Sequence, residues 1–206
     1  MALGYVRTAR AAEAAEIARL QLATWRAAYA RIVPARILDG LDDEALAARW
    51  LAAITDPPSA RHRVLVAIEQ GGEANLVGFA AIGPADETAT APDEPADALS
   101  TGTAAITDLL VEPRWGRRGH GSRLLAAAVD LWRGDGADHA VAWLFDRDAA
   151  SRALLGSAGW EDDGAVRALD MDGTLVRQRR LHVALDPEPD ESATGSDTDD
   201  SAVGSG

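Results

Sequence analysis

The chain has no cysteine. That excludes disulfides, thiolate nucleophiles and Cys-ligated metal sites. It has no lysine either, so all 20 Lys+Arg positions are arginine, and a GxxxxGK[ST] phosphate loop cannot be built. No stretch approaches the ~20 apolar residues of a membrane-spanning helix. The opening MALGYVRTARAAEAAE lacks the apolar core of a secretory signal, so a cytoplasmic, membrane-free protein is expected. Histidines 62, 139 and 182 are scattered without metal-ligand spacing, and no metal is expected. Basic residues are scarce beside acids, 20 against 33, for a formal charge of -13. The acids are concentrated, with seven in 186–206 and five in 84–100, and no base in either stretch. The rest of the chain is within one charge of neutral, which leaves no broad basic face for nucleic acid. Arginine in place of lysine, with abundant Ala, Gly and Asp, reads as the coding bias of a GC-rich genome.

What is present suits one well-buried core. The length is 206 residues and 47% are hydrophobic. Ala favours helix but buries little area, so the six Trp and the Leu, Ile and Val positions must carry the core. Tyr5–Arg7 reads as a strand. Ala11–Arg31 has apolar residues at 14, 18, 22, 25 and 29, one helix face, and Pro34 ends or breaks it. Asp42 and Asp43 are candidate caps for a helix over Glu44–Ala53. Arg63–Glu69 and Leu76–Ile82 form a hairpin pattern around Gly71-Gly72. The segment 84–103, rich in Ala, Pro, Asp and Glu, reads as a flexible acidic surface loop. A buried strand over Ala104–Val111, a loop to His120 and an amphipathic helix over Gly121–Arg133 follow. After them come a strand at Ala140–Phe145 and a helix at Ala149–Ser157 with Asp148 as N-cap. Two final strands, Ala165–Met171 and Thr174–Leu185, flank the hairpin signal Asp172-Gly173. The order β-α-α-β-β-β-α-β-α-β-β gives one α/β (α+β) domain over 1–185. An acidic tail, 186–206, reads as disordered.

Chemistry concentrates in ITDLLVEPRWGRRGHGSRLLAAAVDLW. There a strand enters a glycine-containing loop that opens directly into a helix. The first turn of a helix has amides without intrahelical partners, and the macrodipole adds partial positive charge. Gly119 and Gly121 let an anion approach the backbone, and Arg114, Arg117, Arg118 and Arg123 add bidentate donors. A lone Gly-x-Gly turn with solvated arginines would mean little, so the wider pattern decides. Val111-Glu112-Pro113, Arg117-Arg118-Gly119-His120-Gly121 and Leu124-Leu125 together resemble the acetyl-CoA-binding motif of the GNAT N-acetyltransferases. Asp148–Trp160 (DAASRALLGSAGW) resembles the family's second signature, and Trp25-Arg26-x-x-Tyr29 with Val33-Pro34 resembles its opening.

The resemblance implies a mixed, mainly antiparallel sheet flanked by helices and splayed between the fourth and fifth strands. It implies acetyl-CoA as cosubstrate and a small-molecule or peptide primary amine as acceptor, in a monomer or homodimer. Leu109, Leu110 and Val111 would lie along the cofactor, with backbone groups of Leu109 and Val111 pairing with its pantetheine arm. Arg117, Arg118, Gly119, His120, Gly121 and Ser122 would hold the pyrophosphate. Asp148, where the family has Asn, and Ser151 would contact the cofactor, although Asp148 serves equally as a helix cap. Trp25 and Tyr29, one helical turn apart, border the acceptor pocket or belong to the core. His120 stands where the family varies widely, and an exposed side chain is expected.

Three positions depart from the family pattern. Gly116 replaces an Arg or Gln, Ala105 replaces a glutamate general base, and Leu155 replaces a tyrosine general acid. Asp108 is the first candidate base and Glu112 the alternative; Asp108 can equally cap or pair with an arginine. A member that binds acetyl-CoA without turning it over, as a sensor, is the competing reading.

Overall fold

The computed structural model describes residues 4–71, 74–95 and 97–185. The tail 186–206 and Gly72 of the expected Gly-Gly turn lie outside them. Strand β1 (Tyr5–Thr8) leads through a 3-10 turn (Ala11–Glu13) into α1 (Ala14–Ala28). The helix stops short of Arg31, and the chain re-enters helix immediately after Pro34 as α2 (Ala35–Asp39), one short element the sequence pattern did not reveal. Pro34 stands at the N-cap of α2, where its fixed φ suits the start of a helix and its missing N–H is not needed,. Helix α3 (Asp43–Thr55) is capped by Asp42, whose carboxylate accepts from the N–H groups of Glu44 and Ala45. Strands β2 (Arg63–Gln70), β3 (Ala74–Pro84) and β4 (Thr103–Val111) follow. Then come α4 (His120–Gly134), β5 (His139–Phe145), α5 (Ala149–Ser157), β6 (Glu161–Met171) and β7 (Thr174–Ala184). The β6–β7 turn places Asp172 and Gly173 at φ 55° and 78°, the left-handed pair a two-residue hairpin requires.

Seven strands form one sheet in the order β1-β2-β3-β4-β5-β7-β6. Every pair is antiparallel except β4 with β5. That parallel ladder is short, running from Thr103 opposite His139 to Ile106 opposite Ala142. Beyond it, Thr107–Val111 keeps only β3 as partner while β5 continues along β7. The sheet therefore opens between its fourth and fifth strands, as expected.

A bulge sits at the same point. Ala81 pairs with Asp108 but Ile82 pairs with Ile106, so Thr107 is an extra residue on β4,. The insertion reverses the side-chain alternation. Ala104 and Ile106 join the core under α4 and α5, whereas Leu110, an even-numbered residue past the bulge, joins the core under α1 and α3. Asp108 shares the α1 side and reaches Gln21 of α1.

The sheet separates two cores. On the α1–α3 side Ile17, Trp50, Val66 and Phe79 are buried, with Trp50 edge-on to Phe79 at 4.9 Å between ring centres. On the other side Leu124, Leu125, Trp132, Leu155 and Trp160 pack together. Only Trp50, Trp132 and Trp160 of the tryptophans are core residues, while Trp25, Trp115 and Trp143 are partly exposed. Among the described residues no helix is long and apolar enough to cross a membrane.

The described residues of the acidic segment between β3 and β4 form no helix or strand, but they are docked on the sheet. Ala89 is buried against Ala105 and Val141. The Trp143 indole N–H donates to the Ala89 carbonyl at 3.0 Å, and Arg180 donates to the same oxygen at 3.1 Å. Arg180 also grips Glu94 through Nη1 and Nη2 (2.7 and 2.6 Å) and Asp163 through Nε (2.6 Å). The composition of the segment suggested only solvated acid. Its anchor lies nearly ninety residues downstream, out of reach of local patterning.

Arg180 is 4% exposed, and removing it strands two carboxylates. Arg180→Ala is expected to cost on the order of 2 kcal/mol in urea unfolding. That is less than the ~3–5 kcal/mol of a fully buried pair, because Glu94 and Asp163 keep some solvent contact. A variant as stable as the parent would mean that the clamp contributes nothing.

Candidate functional site

Strand β4 ends at Val111, and a 3-10 turn at Pro113–Trp115 delivers the loop that opens α4. Arg117 and Gly119 both take left-handed backbone, at φ 59° and 79°. The N-cap of α4 is Gly119, and no side chain caps the helix. Its first-turn amides are therefore available to an anion. Arg117 and Arg118 are exposed, and Arg118 lies 4.8 Å over the Trp115 ring. Among the described residues neither has a carboxylate partner. Arg114, by contrast, is occupied by Glu112 at 2.7 Å.

His120 departs from expectation. Its side chain is 1% exposed. Nδ1 lies 3.2 Å from Arg123 Nη2 and Nε2 lies 3.1 Å from Glu69 Oε2. Because an arginine can only donate, Nδ1 accepts and the single ring proton belongs on Nε2, toward Glu69. Burial, then the neighbouring Arg123, holds the imidazole below its usual pKa, so the ring is neutral. Arg123 Nη2 also donates to the Arg118 carbonyl at 3.2 Å. The pair thus braces the loop from beneath, and what His120 offers an anion is its backbone N–H. Its partner sits on β2, fifty-one positions earlier, which local sequence could not reveal.

Gly121 is needed for packing. A Cβ there would fall 2.9 Å from Leu154 Cδ2 of α5, so glycine lets the two helices approach closely. Leu154 in turn lines the cleft between β4 and β5, which joins the loop to that cleft.

The cleft comprises two adjoining cavities. The inner one, about 300 Å³, lies at the divergence of β4 and β5. Leu109 and Leu110 line it from β4, Trp25 and Tyr29 from α1, and Asp148, Ser151 and Leu155 from around α5. The outer one, about 430 Å³, lies between α3, β4 and the docked acidic segment. Gln21, Arg49, Asp108, Trp143 and Gln178 border both. Val111, Glu112 and the residues from Arg117 to Ser122 line neither; they lie at the helix entrance beside Leu154. Ala105 is buried in the wall of the outer cavity and Leu155 in the core beneath the inner one.

Asp108 stands where the cavities meet. Gln21 Nε2 donates to Oδ1 at 3.3 Å, and Trp50 Nε1 donates to Gln21 Oε1 at 2.8 Å. Burial pushes the carboxyl up to about 7, with Arg49 pulling the other way. The neighbouring acid is treated differently. Asp148 accepts from the Tyr29 hydroxyl (2.8 Å), the Ser151 N–H (3.0 Å) and the Ser151 hydroxyl (2.7 Å). It caps α5 and ties α1 to it. Tyr29 packs edge-on between Trp25 and Phe145, at 5.8 and 5.1 Å. Burial first, then Asp148, raises its phenol pKa.

Sequence reasoning missed Gln21, Trp50, Arg49, Arg167 and Gln178. Gln21 left a signal, a polar residue within the buried face of α1. Arg167 and Gln178 face each other through the β6–β7 register, and that pairing is not visible in either strand alone.

The sequence model of the acetyltransferase (GNAT) family matches residues 19–160. No curated protein sequence matches the chain significantly. Among solved structures, a ribosomal-protein-alanine N-acetyltransferase from Brucella melitensis superposes with TM-score 0.61 at 22% identity, covering 87% of this chain and 99% of that one. A Salmonella typhimurium protein solved with its cofactor acetyl-CoA gives 0.60 at 23%, covering 89% and 94%. PaiA N-acetyltransferase from Thermoplasma acidophilum, in complex with coenzyme A, gives 0.60 at 13%, covering 86% and 98%. At these identities the likeness is one of fold.

The raised Asp108 pKa has a consequence for stability. The folded state holds this proton more tightly than the unfolded chain, so ionisation removes stability as pH climbs from the ordinary aspartate range to about 7,. Gln21, Arg49 and Tyr29 are the polar groups facing it, and Arg49 limits the loss. Asp108→Asn should therefore raise Tm near pH 8 by roughly 2–4 °C for each kcal/mol relieved, and by progressively less toward pH 4. A Tm difference independent of pH would show that the carboxyl is not desolvated.

Proposed function

Since the chain belongs to the acetyltransferase (GNAT) family, we propose that it transfers the acetyl group of acetyl-CoA to a primary amine of a small molecule or peptide, by direct attack in a ternary complex. The observation that carries this reading is Asp108. It is a desolvated carboxyl between two cavities, on the same face as Ala105, beside a strand edge left open by the splay.

The residues present fit acetyl-CoA. The uncapped amides of His120, Gly121 and Ser122, with Arg117 and Arg118, would hold the pyrophosphate. The β4 edge at Leu109 and Val111 has no β5 partner, so its backbone groups would pair with the pantetheine arm. Leu110 points into the α1-side core and would contribute backbone alone. Asp148 and Ser151, committed to each other and to Tyr29, would shape the cleft and not bind phosphate. When bound, the cosubstrate supplies the thioester carbonyl that an amine attacks.

In that attack the nitrogen–carbon bond forms, the carbon–sulfur bond breaks and the electron pair leaves on sulfur. Asp108 takes the proton from the amine nitrogen. A carboxyl near pKa 7 suits the task better than an ordinary aspartate, whose low basicity gives little driving force. Glu112 is a weaker choice, held by Arg114 and outside both cavities. Leu155 offers no proton to the leaving thiolate, which must draw on solvent or on the proton that Asp108 has taken from the amine. Much of the acceleration would then come from holding the amine close to the carbonyl. Ala105 and Leu155 at the family's base and acid positions favour a second reading, a sensor that binds acetyl-CoA without turnover.

Steady-state thiol release over a panel of primary amines separates the two. Turnover is expected, with kcat/KM rising as pH passes through about 7 because the ionised carboxylate is the base. Asp108→Asn should lower kcat by roughly 10²–10⁴-fold with little change in acetyl-CoA affinity. Gly121→Asp adds a carboxylate to the first turn of α4 and should abolish calorimetric binding of acetyl-CoA, with thermal melts checking that the crowding of Leu154 leaves the fold intact. A fully active Asp108→Asn enzyme removes the base assignment, and unchanged affinity in Gly121→Asp removes the phosphate site. Tight acetyl-CoA binding with no amine turned over would establish the sensor.

A further inference from the structure

The outer cavity is lined by two arginines, Arg49 and Arg167, that form no ion pair among the described residues. Arg167 projects from β6 into this space, partly buried. Its Nε donates to Gln178 Oε1 at 2.7 Å and its Nη1 to the Thr88 carbonyl at 2.5 Å. Its guanidinium lies 4.3 Å over the Trp143 ring. All three partners are neutral, so they fix the guanidinium without offsetting its charge, and burial lowers its pKa. The other arginines of the β6–β7 hairpin are treated differently. Arg177 and Arg179 meet Asp146, Arg179 also meets Asp162, and Arg180 meets Glu94 and Asp163. Among the described residues Arg167 alone of these four has no acid.

A desolvated cation fixed by neutral groups is costly unless something anionic completes it. Arg49, on α3, borders the same cavity, and it too has no carboxylate partner among the described residues. Asp86 also lines the cavity, its Oδ1 accepting from the Thr88 N–H and hydroxyl at 2.9 and 2.6 Å, and it forms no ion pair with either arginine among the described residues. The remaining acid is Asp108, at the junction with the inner cavity. The arrangement is bipolar, with a proton acceptor at one end and unneutralised guanidinium groups along the wall. An acceptor that carries its own carboxylate can pair with these guanidinium groups, which a simple alkyl amine cannot do.

We infer that the acceptor is an amino acid, its amine at Asp108 and its carboxylate held by Arg49 and Arg167. This rests on the acetyl-transfer reading above, and the bond changes are the same, with an N-acetyl amino acid and the free thiol as products. The cavity, about 430 Å³, falls in the ~300–1,000 Å³ range of small-ligand sites. Its walls include the Trp50 and Trp143 rings, which give an apolar side chain somewhere to lie.

The test measures thiol release with the twenty standard amino acids, each beside its carboxamide and its decarboxylated amine. At least one amino acid should exceed its carboxamide in kcat/KM by roughly tenfold or more, as loss of a charge-assisted contact implies. Arg49→Gln and Arg167→Gln should each raise KM for that amino acid more than they lower kcat, and should shrink the acid-over-amide preference toward unity. Arg49 is exposed on a helix, so its substitution spares the fold, and thermal melts check Arg167→Gln. Removing Arg49 should also move the pH–rate midpoint upward, since Arg49 holds the Asp108 pKa down. That shift should appear with the carboxamide too, which separates it from carboxylate binding. Neutral amines used as well as amino acids, or a preference surviving both substitutions, would overturn the inference while leaving acetyl transfer intact. No thiol release from any acceptor would fell the acetyl-transfer reading itself, and this inference with it.

Discussion

Thr107 has no counterpart on β3, and the chemistry of the cleft follows from that inserted residue. Without it, strict alternation would turn position 108 toward the α4 core, where Ile106 lies. With it, Asp108 turns toward α1 and shares the side on which Ala105 sits. The same short stretch is where β4 loses β5 as a neighbour. The bulge therefore sets two things together, a carboxyl aimed into the cavities and a strand edge with spare hydrogen-bonding groups beside it. A regular strand could supply neither, since its side chains would alternate through and its backbone would be paired.

Two acids near the site sit in different surroundings. Glu69 is 3% exposed and lies 3.1 Å from Nε2 of His120, whose ring is braced by Arg123. Asp108 has one long contact from the Gln21 amide and a rim arginine. Burial dominates there, and its pKa moves to about 7. The Trp50–Gln21 bond matters because it orients the Gln21 amide so that nitrogen, not oxygen, points at Asp108. Two residues of the α1–α3 layer thereby fix the side chain on the sheet.

Local chemistry was readable from sequence wherever the cause lay within a few residues. The caps Asp42 and Asp148, the Asp172-Gly173 turn and the uncapped glycine entrance to α4 follow from backbone rules over four or five positions. Resemblance then supplied the splay. What stayed hidden depends on register between distant strands. His120 read as exposed because nothing near it announces Glu69. The acidic segment read as loose because its anchor, Arg180, lies on the last strand. Arg167 looked like one more surface arginine among many, and only the pairing of β6 with β7, and the segment folded over both, reveals that it lacks an acid.

The sheet is also a partition between two kinds of recognition. The uncapped glycine entrance to α4 opens on one side, while the outer cavity is walled by α3, the Trp143–Arg167 face and the segment held by Arg180. The Thr88 carbonyl that steadies Arg167 belongs to that segment. Insertions or exchanges between Ala85 and Pro95 therefore reshape the outer cavity without a single change to the helix entrance. The fold separates what is constant in such chemistry from what must diversify, and it locates the evolvable part in a segment whose composition looked least informative.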